Sequence, residues 1–166
     1  MIALKVTFTS EDVLCMLEKQ LMMKGGRWVA EFTESERNHK VGDLTFDVYL
    51  RGGTRVKGLF LSRILSYFVL PNYQVACYIS RIPSSNVISS EFLKKRLMLI
   101  RERAKEEELK WNWLFLVTED EPSAKVAKLI EEARGDEGVL LYNLRSKSLV
   151  FSHNLLGKRM KASLKL

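Results

Sequence analysis

Cysteine, histidine and proline are scarce in this sequence, and each shortage argues against a class of structure. Among 166 residues there are two cysteines, two histidines and three prolines. Cys15 and Cys77 have no CxxC partner and lie far from His39 and His153 in the sequence, so buried thiols in a reducing compartment are favoured over a disulfide or a zinc site. The few prolines and the lack of a Ser/Gly-rich stretch argue against a disordered linker. The length then predicts a single domain over residues 1–166.

Long hydrophobic runs are also absent. No apolar run approaches the roughly 20 residues that a helix needs to cross a bilayer. The start of the chain, Met1 to Val6, lacks the basic beginning and the long apolar centre of a signal peptide. We therefore expect a cytoplasmic protein with no membrane partner. The sequence contains only two glutamines but many Lys, Arg and Glu residues, a composition typical of heat-adapted proteins.

Acidic residues are missing from two long segments, although the whole chain contains 20 of them. Residues 48–90 and 138–166 contain no Asp or Glu and carry the excess positive charge of a chain whose formal net charge is +7. A positive surface attracts anionic polymers, so we expect DNA or RNA as a partner, with solvated charge as the alternative. The candidate nucleic-acid-binding residues are Arg51, Arg55, Lys57, Arg63, Arg81, Arg145, Lys147, Lys158, Arg159 and Lys161.

The most apolar run, from Trp111 to Thr118, is predicted to form the middle strand. It has no polar face, which is typical of a strand that is covered on both sides. Helical patterns flank it, one capped by Ser89 or Ser90 and continuing to about Lys110, the other beginning at Pro122. Strand, helix and strand in this order predict a crossover with at least one parallel pair.

The remaining elements follow from hydrophobic periodicity and from turn residues. Predicted strands cover 2–8, 28–33, 44–50, 73–82, 139–144 and 148–152, and a further helix covers 11–24. The polar stretch Glu34–Lys40 is predicted to be a turn, and Gly52-Gly53 is predicted to break the strand before it. Leu59–Leu70 is predicted to be a helix, with a β-hairpin arm as the alternative. From about Asn154 the chain is a basic tail whose leucines have roughly helical spacing.

Together these elements predict an α/β fold with a mixed central sheet flanked by helices, in which a three-strand meander is followed by an αβαβ unit. This order resembles the restriction-endonuclease-like superfamily, the PD-(D/E)xK nucleases. The resemblance implies an acid on the second meander strand and an acid-x-lysine on the third. In that family the carboxylates hold Mg²⁺ and the lysine helps to position the attacking water.

The resemblance assigns candidate catalytic residues to this sequence. Asp47 falls at the first acid and would be the metal ligand, Asp43 begins the same strand, and Glu18 or Glu31 would be the upstream acid. The third strand, Val75–Arg81, carries no acid. Because a single carboxylate holds Mg²⁺ poorly, the resemblance implies a degenerate, non-cleaving member. From the residues alone, the favoured interpretation of Asp47 is a solvent-facing acid on a half-buried strand.

The basic segment Arg51–Gly58 contains glycines and is predicted to be an ordinary turn, with a phosphate-contacting loop as the alternative. We expect the site near Asp47 and this segment, across the sheet from the acidic Glu119–Glu121, which would repel phosphate. The favoured function is nucleic-acid binding by a degenerate nuclease-like fold, mainly through phosphate contacts and without a cofactor. The alternatives are a Mg²⁺-dependent nuclease that uses Asp47 and a non-enzymatic assembly or regulatory subunit that forms a homodimer through Leu59–Leu70.

Overall fold

The computed structural model describes residues 9–23, 30–54, 73–84 and 87–166. The predicted strand at 2–8, the Leu59–Leu70 segment and the cations Arg55, Lys57 and Arg63 lie outside these ranges. The helices are α1 (Ser10–Met23), α2 (Ser90–Glu106), α3 (Ala124–Glu131) and α4 (Leu155–Ser163). The strands are β1 (Glu31–Val41), β2 (Leu44–Gly53), β3 (Gln74–Ile82), β4 (Leu109–Thr118), β5 (Glu137–Asn143) and β6 (Leu149–Phe151).

The strands of the described residues form one mixed sheet in the order β1-β2-β3-β4-β5-β6. β1, β2 and β3 form an antiparallel meander, β4 and β5 add in parallel, and β6 returns antiparallel. Because α2 connects β3 to β4 and α3 connects β4 to β5, the predicted fold class is confirmed. The parallel pairing predicted around Trp111–Thr118 is also confirmed, since β4 is parallel to both of its neighbours.

Helices cover both faces of the sheet, and each face has its own hydrophobic cluster. On the α1 face, α1 and α4 pack against Trp113, Phe115 and Val117 of β4. On the α2 face, α2 and α3 pack against Leu114 and Leu116. All five side chains are at most 1 % exposed, and burial of one large apolar side chain stabilises a fold by about 1.5–3 kcal/mol. This double coverage explains why β4 has no polar face.

The prediction of a turn at 34–40 is wrong, because β1 runs through it. β1 covers Glu31–Val41 at the edge of the sheet, and the turn to β2 consists of Gly42 and Asp43. Gly42 has a φ of +58°, a left-handed conformation that glycine adopts without strain. An edge strand keeps many side chains in solvent, so β1 lacks the apolar alternation that identifies β2 in the sequence.

The prediction that Gly52-Gly53 breaks β2 is also wrong. Gly52 pairs with Phe32 on one side and with Val75 on the other, and β2 ends only at Gly53. A Cβ atom at Gly52 would lie 2.0 Å from the carbonyl oxygen of Glu31. Glycine is therefore required for the close approach of two strands and not for a turn.

The helix boundaries differ by a few residues from the prediction. α2 has Ser89 as its N-cap, as predicted, but it ends at Glu106, and β4 already begins at Leu109. α3 begins after its N-cap Ser123, so Pro122 precedes the helix and does not open it. No helix in the described ranges is long and apolar enough to cross a membrane.

The segment predicted as a basic tail from about 154 contains a helix, α4, that is docked on the sheet, and its predicted helical spacing is confirmed. The side chain of Asn154 caps this helix by accepting the Gly157 N–H at 2.9 Å. In the buried core, Trp113 Nε1 donates to the carbonyl oxygen of Leu156 at 3.1 Å. A Cβ atom at Gly157 would lie 2.1 Å from the carbonyl oxygen of Ser152. The first turn of α4 is therefore held tightly against the sheet.

Candidate functional site

At Asp47, the regular alternation of β2 side chains between the two faces of the sheet is interrupted. The side chains of an uninterrupted strand alternate with a period of two. In β2, however, Phe46 and Tyr49 both belong to the cluster on the α2 face, whereas Val48 belongs to the cluster on the α1 face. Opposite Asp47, β1 has its own irregularity at Asn38, whose φ is +54°. Irregularities of this kind change the direction of the side chains beside them. Asp47 is the residue at which the alternation of Phe46 gives way to that of Val48 and Tyr49.

Both carboxylate oxygens of Asp47 are engaged by Arg81 of β3. The backbone N–H of Arg81 donates to Oδ2 at 2.7 Å, while its Nε and Nη2 donate to Oδ1 at 3.1 and 3.0 Å. The Arg81 and Asp47 side chains are 41 % and 22 % exposed, so the pair is only partly solvated. Charge-assisted hydrogen bonds from a planar guanidinium fix the orientation of a carboxylate. Each oxygen of Asp47 therefore already has a donor.

The same guanidinium group also reaches α1. Arg81 Nη1 lies 3.0 Å from Oε2 of Glu11, and Nη1 of Arg37 on β1 lies 3.1 Å from the other oxygen of Glu11. Arg37 also pairs with Glu18, farther along α1. Acids and bases thus alternate along a chain of ion pairs that links α1 to β1, β2 and β3. We refer to these five residues as the clasp: Glu18, Arg37, Glu11, Arg81 and Asp47.

A cleft of about 430 Å³ opens beside the clasp, at the carboxyl ends of β3 and β4. Ligands of parallel sheets are commonly bound at this edge. The cleft is lined by Ser10, Asp47, Arg81, Ile82, Pro83, Ser84, Val117, Thr118, Glu119 and Leu144. The expectation that Asp47 lies across the sheet from the acids after β4 is therefore wrong, because Asp47 and Glu119 line one cleft.

The other predicted catalytic acids, Asp43 and Glu31, do not lie beside Asp47. Asp43 lies in the β1–β2 turn and pairs with Lys95 of α2, whose hydrogen bond holds the pKa of Asp43 below its ordinary value. Glu31 is opposite Gly53 at the far end of the β1–β2 hairpin. Along β1 it lies roughly 23 Å from the point opposite Asp47, given the rise of about 3.3 Å per residue. The long hairpin therefore separates three acids that the prediction places in one site.

The arrangement around Asp47 does not fit a metal site. Mg²⁺ prefers several oxygen ligands in an octahedral arrangement. The described residues contain no group of three or more His, Cys, Asp and Glu side chains that could hold a metal ion. At Asp47 the cation is the guanidinium group of Arg81, and the two strand neighbours of Arg81 are Ser80 and Ile82. The predicted role of Asp47 as a metal ligand is therefore not supported by its geometry.

Arg51 does not belong to a flexible phosphate-binding loop, because residues 51–53 are paired within β2. Its Nη1 lies 3.8 Å from Oε2 of Glu107, which also accepts the hydroxyl of Tyr49 at 3.1 Å. Burial and the nearby Glu107 raise the pKa of Tyr49, so its hydroxyl stays protonated and donates. Arg51 therefore interacts with the region after α2, about 13 Å along β2 from Asp47.

Two further predicted phosphate ligands are neutralised beside the cleft. Arg81 is shared by Asp47 and Glu11, and Nη2 of Arg145 lies 3.5 Å from Oε2 of Glu119. A cation with a carboxylate partner must give up that partner before it binds a phosphate, which reduces the net free energy of phosphate binding. These two arginines are therefore weak candidates for phosphate binding.

The remaining candidates within the described ranges are exposed and lie in the β5–β6 turn and on α4. We refer to three cations of α4 as the basic face: Lys158, Arg159 and Lys161. The opposite side of α4 is buried through Leu156 and Met160, which leaves the basic face in solvent. Within the described ranges, no residue of the basic face has a carboxylate partner. Lys147 is also exposed, in the β5–β6 turn, where its φ is +55°.

Sequence reasoning missed three members of this region, namely Glu11, Arg37 and Glu119. An acidic residue in the first turn of a helix is common because it interacts favourably with the helix N-terminus. The position of Glu11 in α1 therefore does not indicate an ion pair with another element. Arg37 falls within the stretch that is predicted to be a turn. Only the packing of α1 beside β1 and β3 shows that these residues form one network.

Two regions thus differ in how their charges are used. The charges of the clasp are paired, and those of the basic face have no carboxylate partner in the described chain.

Comparison of the chain with models of protein families, with curated proteins and with solved structures finds no match.

Proposed function

We propose that this protein binds nucleic acid mainly through phosphate contacts and does not cleave it. The observation that carries the proposal is the basic face, whose three exposed cations have no carboxylate partner among the described residues. Lysines and arginines that approach phosphates release condensed counterions, which supplies most of the non-specific affinity for nucleic acids. Because phosphate contacts carry little sequence information, binding would be weakly sequence-specific and steeply salt-dependent.

The attachment of α4 supports this role. The Asn154 cap and the hydrogen bond from Trp113 to Leu156 hold the helix on the sheet. Cations on an element that is already ordered lose less conformational entropy on binding than cations on a flexible tail. The basic face is therefore better prepared for phosphates than the predicted tail would be.

The state of Asp47 supports binding without cleavage. The chemistry of the PD-(D/E)xK nucleases needs carboxylates from two strands around Mg²⁺. β3 has no carboxylate, and its Arg81 occupies both oxygens of Asp47. The element order of the described chain, in which a helix and a meander precede an αβαβ unit, supports a relationship to these nucleases as a degenerate member, and we propose it on that ground.

A binding titration at two salt concentrations tests the proposal. The probes are DNA and RNA in duplex, single-stranded and branched form, at about 50 and 200 mM salt, a range over which phosphate contacts weaken strongly. The triple variant Lys158→Gln/Arg159→Gln/Lys161→Gln is expected to bind more than about tenfold more weakly at the lower salt. No binding by the unmodified protein at the lower salt would overturn the proposal.

A matched control removes the same charge from the α2 face. Lys94, Lys105 and Lys128 are exposed on α2 and α3, and their replacement by glutamine is expected to weaken binding far less. Equal losses in the two triple variants would assign binding to net charge and not to the basic face.

The two alternatives make different predictions. A nuclease that uses Asp47 would cleave nucleic acid with Mg²⁺ or Mn²⁺ and lose this activity in Asp47→Ala, whereas our proposal expects no cleavage by the unmodified protein. The assembly alternative depends on Leu59–Leu70, which lies outside the described residues and stays a prediction. Light scattering that shows a monomer at high concentration would count against it.

A further inference from the structure

We infer that the nucleic acid bound at the basic face is single-stranded and that one of its bases stacks on the exposed His153 ring beside β6, an inference that rests on the proposed function. Phe151 of β6 and His153 lie edge to face, with ring centroids 5.6 Å apart and an interplanar angle of 70°. We refer to these two residues as the ring pair. Lys161 of the basic face lies over the same Phe151 ring, with Nζ 4.5 Å from its centroid.

The ring pair lies along the edge of the sheet, between cations. β6 is the last strand in the sheet order and pairs with β5 alone among the described strands. The chain passes from the exposed Lys147 through Phe151 and His153 to Lys158. A strand of nucleic acid bound at this edge would therefore have the ring pair and Lys161 of the basic face side by side.

The surroundings of His153 favour a base over a phosphate at this position. The His153 side chain is exposed, while its backbone N–H donates to the carbonyl oxygen of Glu131 at 3.0 Å. Glu131 is exposed at the end of α3, and its negative charge disfavours an anion nearby without penalising a neutral base. The partly buried Phe151 supports the His153 ring from one edge.

Stacking on rings separates single strands from duplexes. Each base of a single strand has a face that can stack on an aromatic side chain, whereas the bases of a duplex are already covered by their neighbours. Phosphate contacts alone would not make this distinction, because both forms carry phosphates. The ring pair and the basic face together therefore select a single strand, with the cations on the phosphates and a base on the exposed His153 ring, which Phe151 supports.

Fluorescence anisotropy with one oligonucleotide, alone and annealed to its complement, tests this inference. The double variant Phe151→Leu/His153→Gln is expected to bind the single strand at least roughly tenfold more weakly, since each stacked base contributes strongly. Its affinity for the duplex should change less than about twofold. The exposed His153→Gln alone gives a weaker version of the same result if the loss of Phe151 disturbs packing.

A matched control uses another partly exposed ring that has a lysine nearby. Tyr73 is 38 % exposed, with Lys110 Nζ 6.0 Å from its ring centroid, and it precedes β3 at the start of that strand. Tyr73→Leu should leave single-strand binding unchanged. Equal affinity for both forms, or ring-pair variants that weaken both forms equally, would overturn the inference while the proposed function stands. No binding of either form by the unmodified protein would overturn both.

Discussion

The clasp and the basic face contain the same kinds of cation in opposite electrostatic states. Arg81 and Arg37 of the clasp are held by Glu11, Glu18 and Asp47. The cations of the basic face are exposed and have no carboxylate partner in the described chain. The availability of a cation for an anionic ligand thus depends on its neighbours in space and not on the local excess of Lys and Arg.

The origin of the difference is visible in the acid-free segments. Arg81 comes from residues 48–90, which contain no acid, yet its partners Asp47 and Glu11 come from outside that segment. The basic face comes from residues 138–166, which contain no acid either, and none of its cations forms an ion pair with an acid in the described chain. An acid-free stretch of sequence is therefore a basic surface only where the fold keeps other acids away.

The largest expected effect concerns the salt dependence of nucleic-acid binding. Neutralising the three residues of the basic face should lower the slope of log affinity against log salt by about 2–3, because each phosphate contact contributes roughly 0.7–0.9. Arg81→Gln should change the slope much less, since Arg81 is already neutralised by two carboxylates. Titrations at four or more salt concentrations measure both slopes. Equal changes in the two variants would erase the distinction between the two regions.

The docking of α4 can be broken without removing any charge. Gly157→Ala places a Cβ atom 2.1 Å from the carbonyl oxygen of Ser152, and this overpacking is expected to lower the free energy of unfolding by about 1–3 kcal/mol. Urea denaturation measures the change, with Ser163→Ala near the end of α4 as the control. Nucleic-acid binding should also weaken in Gly157→Ala, although the basic face is intact. Unchanged stability would show that the contact at Gly157 relaxes easily.

The clasp is expected to stabilise the fold more than a simple surface ion pair. Arg81→Met removes the side-chain donors to Asp47 and the cation beside Glu11, and should cost about 1–2 kcal/mol after allowance for solvent exposure. Arg145→Met removes only the exposed pair with Glu119 and should cost less than about 0.5 kcal/mol. Urea denaturation compares the two variants. A loss in Arg81→Met no greater than that in Arg145→Met would contradict the special status of the clasp.

The smallest expected effect concerns the pair of Asp43 and Lys95, which belongs to neither region. The hydrogen bond from Lys95 lowers the pKa of Asp43 from its ordinary value of 3.8. A depressed folded-state pKa stabilises the fold above the ordinary pKa, and this contribution disappears as the pH falls through the folded value. The stability difference between the unmodified protein and Lys95→Gln should therefore shrink below about pH 4. Lys105→Gln, at an exposed position of the same helix, is the control and should show no such pH dependence.

Much of the fold follows from local signals. The apolar run at Trp111–Thr118 predicts a strand that is covered on both faces. The serines at 89 and 90 predict the start of α2, and the structure has Ser89 as the cap. Both signals depend on neighbouring residues alone, either through a repeat or through a cap. Most of β1 escaped prediction because a solvated edge strand has no apolar repeat, and only its start overlaps the predicted strand at 28–33. Gly52 was misleading because a glycine needed for close strand contact looks like a turn residue.

The sequence by itself determined the element types, the mixed sheet and the presence of two basic segments. Tertiary structure alone decided which charges are paired, since Asp47 and Arg81 are 34 residues apart and meet only because β2 and β3 are neighbours. It also decided that α4 is docked, so that Lys158, Arg159 and Lys161 share one exposed side. The physical reason is that hydrophobic periodicity acts over a few residues, whereas ion pairs depend on distances between elements that are remote in the chain.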